Sequence, residues 1–174
     1  EALSDYWGDL CASKEVASAW ADRHEKDGLI DVFRCPLWVP RRPSWTTRLL
    51  HLLSFALTSA PALLAQAGWK PDLILAVAPT MTAAPAAWFY ARLVGCPAWL
   101  HIQDFELEAA LGLAMAPWLR PLSRLLVKLE KELLKRFDRV STISVRMQEA
   151  LWRRGIPTHK TPLLPNWVNC QAIY

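Results

Sequence analysis

One imidazole and three carboxylates stand within eight residues of this chain: His101, Asp104, Glu106 and Glu108. They close an apolar stretch that runs through Ala98-Trp99-Leu100. Bringing such groups to the end of a buried segment costs solvation unless they have partners or a task. In a parallel α/β sheet the carboxyl ends of the strands open into the ligand crevice. Residues 98–102 are therefore expected to form such a strand, and residues 103–110 to line the crevice. There His101 or Asp104 could take a proton from a substrate hydroxyl. The competing reading is structural, with Asp104 or Glu106 capping the next helix and His101 a hydrogen-bonded core residue. Imidazole and carboxylates also suit a divalent ion, but no second cluster completes a shell and no metal is expected.

Other chemistries lack their motifs. The six glycines form no GxGxxG or P-loop, and no GxSxG elbow, HExxH helix or DxD pair occurs, which argues against a Gly-rich phosphate cradle, a serine hydrolase and a zinc protease. Cys11, Cys35, Cys96 and Cys170 lie far apart with no CxxC pair, so isolated thiols are expected in place of a zinc site or disulfide framework. At 53% hydrophobic and 21% charged residues, with mean hydropathy +0.11, the chain is apolar and far from disordered. Its net charge of +4 suits a membrane surface, a phosphate-bearing substrate or nucleic acid. Ten Trp add weight to membrane contact, because indole favours the boundary between apolar and wet surroundings. No basic region followed by an apolar core opens the chain, so no signal peptide is expected, and the sequence reads as a piece of something longer.

A sheet must exist to position the carboxylates. Ser13 could cap a short helix through Arg23, His24–Gly28 reads as a turn, and Leu29–Cys35 is a short β-rich run. Residues 49–69 carry no charge and residues 73–91 are again apolar, so a two-span membrane hairpin must be weighed. Against it, His51, Ser54, Thr58, Ser59, Pro61 and Gln66 interrupt the first run. The second divides into a strand-length segment, 73–78, a helix-start signal at Pro79-Thr80-Met81-Thr82 and an Ala-rich helix over 83–94 stopped by Gly95 and Pro97. Leu122, Leu125, Leu126, Leu129, Leu133 and Phe137 recur at helical spacing, opposite Arg124, Lys128, Lys131, Lys135 and Arg136, with Glu132 four residues before Arg136. Asp138–Ile143 reads as a strand, Ser144 as the cap of a helix to Arg154 ended by Gly155 and Pro157, and Leu163-Leu164 as a last extended piece. This alternation predicts an α/β, Rossmann-like parallel sheet with helices on both faces.

Two basic surfaces remain. The helix over 122–137 presents an ordinary solvated face. Arg41, Arg42 and Arg48 with Trp38 and Trp45 instead suggest docking on an anionic bilayer. Nucleic-acid binding is not expected, since the cations are neither dense nor interleaved with stacking aromatics.

Several segments together closely resemble a known group. They are Asp27-Gly28 leading into a strand, Pro36–Ser44 (PLWVPRRPS), Trp99–Glu106 (WLHIQDFE), Phe137–Ser144 (FDRVSTIS) and Leu164–Asn169 (LPNWVN). The group is the sugar transferases of bacterial exopolysaccharide assembly, of colanic-acid fucosyltransferase type, within the family-4 retaining glycosyltransferases. The resemblance runs from about residue 27 to residue 169, and residues 1–26 match poorly.

What the resemblance implies is the incomplete N-terminal half of a GT-B fold, in which two Rossmann-like domains face a cleft. Residues 1–164 would be part of the acceptor-binding domain and 165–174 the start of the interdomain linker. The first strand with its Gly-rich loop would precede Glu1, and the donor domain would follow Tyr174. His101 and Asp104 become the catalytic candidates facing the cleft, Asp104 as the group that activates or positions the acceptor. Glu106, Thr80, Ser144 and Asn166 become substrate-binding candidates. No metal or resident cofactor is implied; the donor is a nucleotide diphosphate sugar, GDP-fucose being the candidate, held mainly by the other domain. The implied reaction moves a sugar to a polyprenyl-diphosphate-linked saccharide at the cytoplasmic face of the plasma membrane, and this chain alone is expected to be inactive. The alternative is a non-catalytic membrane-associated scaffold or remnant with two apolar hairpin segments.

Overall fold

The computed structural model describes residues 24–27, 29–42, 44–78, 81–105 and 120–166. The expected helix from Ser13 to Arg23 lies outside them. The chain divides into two compact units, Glu1–Gln66 and Ala67–Tyr174.

In the first unit β1 (His24–Asp27) pairs antiparallel with β2 (Ile30–Phe33), His24 opposite Phe33 and Asp27 opposite Ile30. The reading of His24–Gly28 as a turn is thus corrected: His24–Asp27 is a strand. The ladder is made by backbone groups, so a strand as polar as His-Glu-Lys-Asp forms once a partner lies alongside. Next comes α1 (Trp45–Ala65). Ser44 caps it reciprocally with Thr47. The Ser44 Oγ accepts from the Thr47 N–H at 3.2 Å, and the Ser44 N–H donates to Thr47 Oγ1 at 2.8 Å.

The polar residues of the uncharged run have specific work in α1. The Trp38 N–H donates to Ser54 Oγ at 2.9 Å, His51 Nδ1 lies 2.6 Å from the Trp38 carbonyl, and Thr58 Oγ1 donates to the Pro36 carbonyl. A carbonyl only accepts, so His51 carries a proton on Nδ1. These bonds stitch the extended Pro36–Trp38 segment onto the helix. No helix of the described residues is long and apolar enough to cross a membrane. The two-span alternative is therefore corrected: residues 73–91 divide between a strand and a helix, and α1 uses its polar side chains to hold a neighbouring segment.

In the second unit β3 (Ile74–Ala78), β4 (Ala98–Ile102) and β5 (Arg139–Thr142) form a parallel sheet in that order. Ile74 pairs with Ala98, and His101 with Ser141. Between and after the strands come α2 (Ala84–Val94), α3 (Arg120–Arg136) and α4 (Val145–Arg153). This is the expected α/β, Rossmann-like alternation. The helix boundaries follow local chemistry. Ser144 caps α4, its hydroxyl accepting from the Met147 N–H at 3.4 Å. The start of α2 falls later than the Pro79–Thr82 signal suggested: Ala83 is the N-cap and makes no side-chain bond, and Pro85 in the first turn supplies a helical φ in place of a hydroxyl cap.

Alternation along the strands sorts the side chains onto two faces. Leu100, Ile102 and Val140 are fully buried on one, joined by Ala84 and Ala91 of α2, Leu134 of α3 and Leu151 of α4. The Arg136 guanidinium also lies over the Trp88 ring at 5.0 Å, tying α3 to α2. Glu132 pairs with Lys135 at 2.8 Å, so the expected pairing of Glu132 with Arg136 gives way to that stacking. The opposite face of the sheet carries Leu75, Val77, Trp99, His101 and Ser141. Beyond α4, Leu163 bridges to Thr142 in parallel, and the Leu164 N–H donates to the Thr142 carbonyl at 2.9 Å. Cys35 and Cys96 are free thiols, and Cys11 and Cys170 lie outside the described residues.

Candidate functional site

Because the three strands are parallel, their carboxyl ends share one edge, where an open α/β sheet receives its ligand. The sequence places His101 at the penultimate position of β4 and Asp104 two residues past its end. Two anchors hold the segment between them. Ile102 is fully buried, and Phe105 packs against the core with the Arg154 guanidinium 4.3 Å from its ring centroid. Gln103 and Asp104, between the anchors, are exposed. A carboxylate is thus presented to solvent on a short, twice-pinned span.

His101 is held differently. It is 6% exposed, and its Nδ1 lies 2.8 Å from Ser141 Oγ, which also accepts from Trp99 Nε1 at 2.8 Å. Burial disfavours the imidazolium and lowers the His101 pKa from its usual value of 6.5. At neutral pH the ring is uncharged. The two candidates are therefore an exposed carboxylate and a buried, neutral, hydrogen-bonded imidazole.

Of the other candidates, Ser144 stands two residues past the end of β5, on the same edge, with its hydroxyl oxygen engaged as the α4 cap. Asn166 is exposed, three residues beyond the bridge that extends this edge. Thr80, Glu106 and Glu108 lie outside the described residues. No group of three or more His, Cys, Asp or Glu that could hold a metal occurs among the described residues.

Trp38, Arg41 and Arg42 are exposed in the first unit, and Trp45 and Arg48 fall in the first turn of α1. Trp38, Leu50, Leu53, Ser54 and Leu57 line a shallow, almost wholly apolar recess of about 350 Å³. The leucine row belongs to this surface as much as the Trp and Arg residues do. Helical spacing at 50, 53 and 57 was the signal for it. Sequence reasoning also passed over Trp99 and Ser141 as partners of His101. Trp99 shares its face of β4 by simple alternation, whereas Ser141 requires the register between strands.

With this geometry in hand, comparison with known proteins decides the lineage. A glycosyl transferase 4-like domain matches residues 10–167. The chain belongs to that family. It is also 42% identical over 155 residues to WcaI of Escherichia coli (strain K12), a protein named as a colanic acid biosynthesis glycosyl transferase. The match covers 88% of this chain and 38% of that relative. The chain thus spans well under half the length of the curated relative it matches.

Proposed function

We propose that the protein transfers a sugar from a nucleotide diphosphate donor, with retention, to a polyprenyl-diphosphate-linked saccharide in exopolysaccharide synthesis. The chain supplies the acceptor-side half of a GT-B enzyme, with Pro165 and Asn166 entering the link to a donor-binding half. The carrying observation is Asp104, exposed at the carboxyl edge of β4 and pinned on both sides. Family membership and the similarity to WcaI support the reaction class.

In this reading the Asp104 carboxylate accepts or orients the proton of the attacking acceptor hydroxyl. His101 is the second catalytic candidate of this strand, and Ser144, Asn166, Thr80 and Glu106 contact substrate. The departing nucleoside diphosphate, GDP if the donor is GDP-fucose, is stabilised electrostatically in the donor-binding half. These residues alone do not complete a site for transfer. The recess beside Trp38, together with Arg41, Arg42, Trp45 and Arg48, holds the enzyme on the cytoplasmic face of the plasma membrane, where a lipid-linked acceptor resides.

The test uses the intact protein, a panel of nucleotide diphosphate sugars and a membrane fraction as acceptor source. Transfer from one donor, cut roughly 100-fold or more in Asp104→Asn with folding unchanged, is expected. Wild-type rates in the variant would remove the assignment of Asp104. A folded protein that binds and uses no nucleotide sugar would remove the reaction.

A further inference from the structure

Ser141 Oγ sits at the centre of a three-residue hydrogen-bonded chain, 2.8 Å from Trp99 Nε1 and 2.8 Å from His101 Nδ1. The protons in it can be assigned from the chemistry of the groups. An indole N–H only donates, so the Trp99–Ser141 bond runs from Trp99 to Ser141. Ser141 is fully buried at 0% exposure, so its own proton has no access to water. Among the described residues the acceptor within its reach is His101 Nδ1. The opposite assignment, Nδ1–H donating to Oγ, would give the serine two incoming donors and strand its proton in the interior, which native structures avoid. The hydroxyl proton therefore points to Nδ1. A neutral imidazole carries one proton, and with Nδ1 accepting, that proton is on Nε2.

We infer that the chain Trp99 N–H to Ser141 O–H to His101 Nδ1 locks His101 as the neutral Nε2–H tautomer, making it a hydrogen-bond donor to a substrate oxygen with Ser141 and Trp99 as its positioning residues. This assigns opposite roles to the two groups at the edge of β4. His101 donates through Nε2 and cannot serve there as a base, whereas Asp104 can only accept when ionised. Charging His101 would require a proton on Nδ1, and Ser141 would have to turn its own proton away into the interior. Burial opposes the imidazolium independently. The register explains why β5 carries a small hydroxyl residue at this point: Ser141 lies directly opposite His101, close enough for an Oγ to reach the near ring nitrogen. That the receiving oxygen belongs to a sugar substrate rests on the proposed glycosyl transfer; the tautomer does not.

The test separates these two parts. Long-range proton–nitrogen correlation spectra of the intact protein, with His101 assigned by its loss in His101→Gln, report the tautomer directly. A protonated Nε2 and a bare Nδ1 are expected in wild type. Ser141→Thr should preserve that signature and Ser141→Ala should lose it, with the ring distributing between tautomers. A protonated Nδ1 in wild type overturns the inference without need of any variant. In the transfer assay, Ser141→Ala should lower kcat about tenfold or more, and Ser141→Thr should restore it. The expected tautomer with unaltered kcat in Ser141→Ala would overturn the donor role. Absence of transfer by wild type with any nucleotide sugar would instead remove the reaction and leave the tautomer standing.

Discussion

Asp138 and Ala98 clasp each other at the entrance of β4 and β5. The Ala98 N–H donates to Asp138 Oδ2 at 2.9 Å, and the Asp138 N–H donates to the Ala98 carbonyl at 2.9 Å. Ala98 is buried, so water cannot replace the carboxylate. Asp138→Ala should cost about 1–3 kcal/mol, the range for orphaning a buried donor of a charge-assisted bond. The check is the urea midpoint of the intact protein at unchanged m-value. A midpoint equal to wild type would show that the clasp adds nothing to the ladder.

Gly155 and Gly95 end α4 and α2 with φ of +77° and +78°. A Cβ at Gly95 would meet nothing within 4 Å, and one at Gly155 would meet the Lys131 side chain at an ordinary 3.8 Å. Sterics with neighbours therefore cost nothing at either site, and only the left-handed backbone resists a side chain. Gly95→Ala and Gly155→Ala should each destabilise by about 1–2 kcal/mol, and by similar amounts. A markedly larger loss at Gly155, measured by the same unfolding assay, would point to crowding by Lys131.

Burial makes stability depend on pH through His101. Its folded-state pKa lies below the ordinary 6.5, so between the two values the unfolded chain binds a proton that the folded chain refuses. The contribution is fully present above about pH 6.5 and is lost as pH falls from there through the folded-state value. Wild type and His101→Gln should converge in unfolding midpoint on acidification, because the variant lacks this dependence. Parallel pH profiles for the two would show that His101 titrates normally.

The recess beside Trp38 gives a membrane prediction. Leu57 is 73% exposed, so Leu57→Glu should leave folding unchanged while removing one apolar insertion point. Loss of a buried leucine is worth about 1.5–3 kcal/mol, so binding to phosphatidylglycerol vesicles should fall roughly tenfold or more. Arg41→Ala and Arg42→Ala should each weaken it by about 1 kcal/mol, and added salt should reproduce that loss. Co-sedimentation indistinguishable from wild type in all three variants would remove the proposed membrane role of this surface.

Much of the second unit was legible in the sequence because its signals are local. The apolar run over 98–102, the Ser144 cap, the stop at Gly155 and the helical spacing in α3 each act within a turn or a strand of their own position. The structure shows these elements, although Leu125 and Leu129 of the expected apolar stripe are exposed and Leu134 is buried instead. The placement of Asp104 just past a parallel strand follows from the same local reading. Three features were decided only by tertiary structure. His24–Asp27 is a strand because a neighbouring backbone offers it a ladder, a choice that polar side chains neither make nor forbid. His51, Ser54 and Thr58 look like interruptions of an apolar run, and their meaning comes from the Pro36–Trp38 segment laid against them. His101 finds Ser141 forty residues away, because strand register, which no single segment encodes, sets those two side chains opposite each other. Sequence by itself determined that His101 and Asp104 fall at the carboxyl end of a parallel strand. The protonation that sets what His101 can do was decided by the strand beside it.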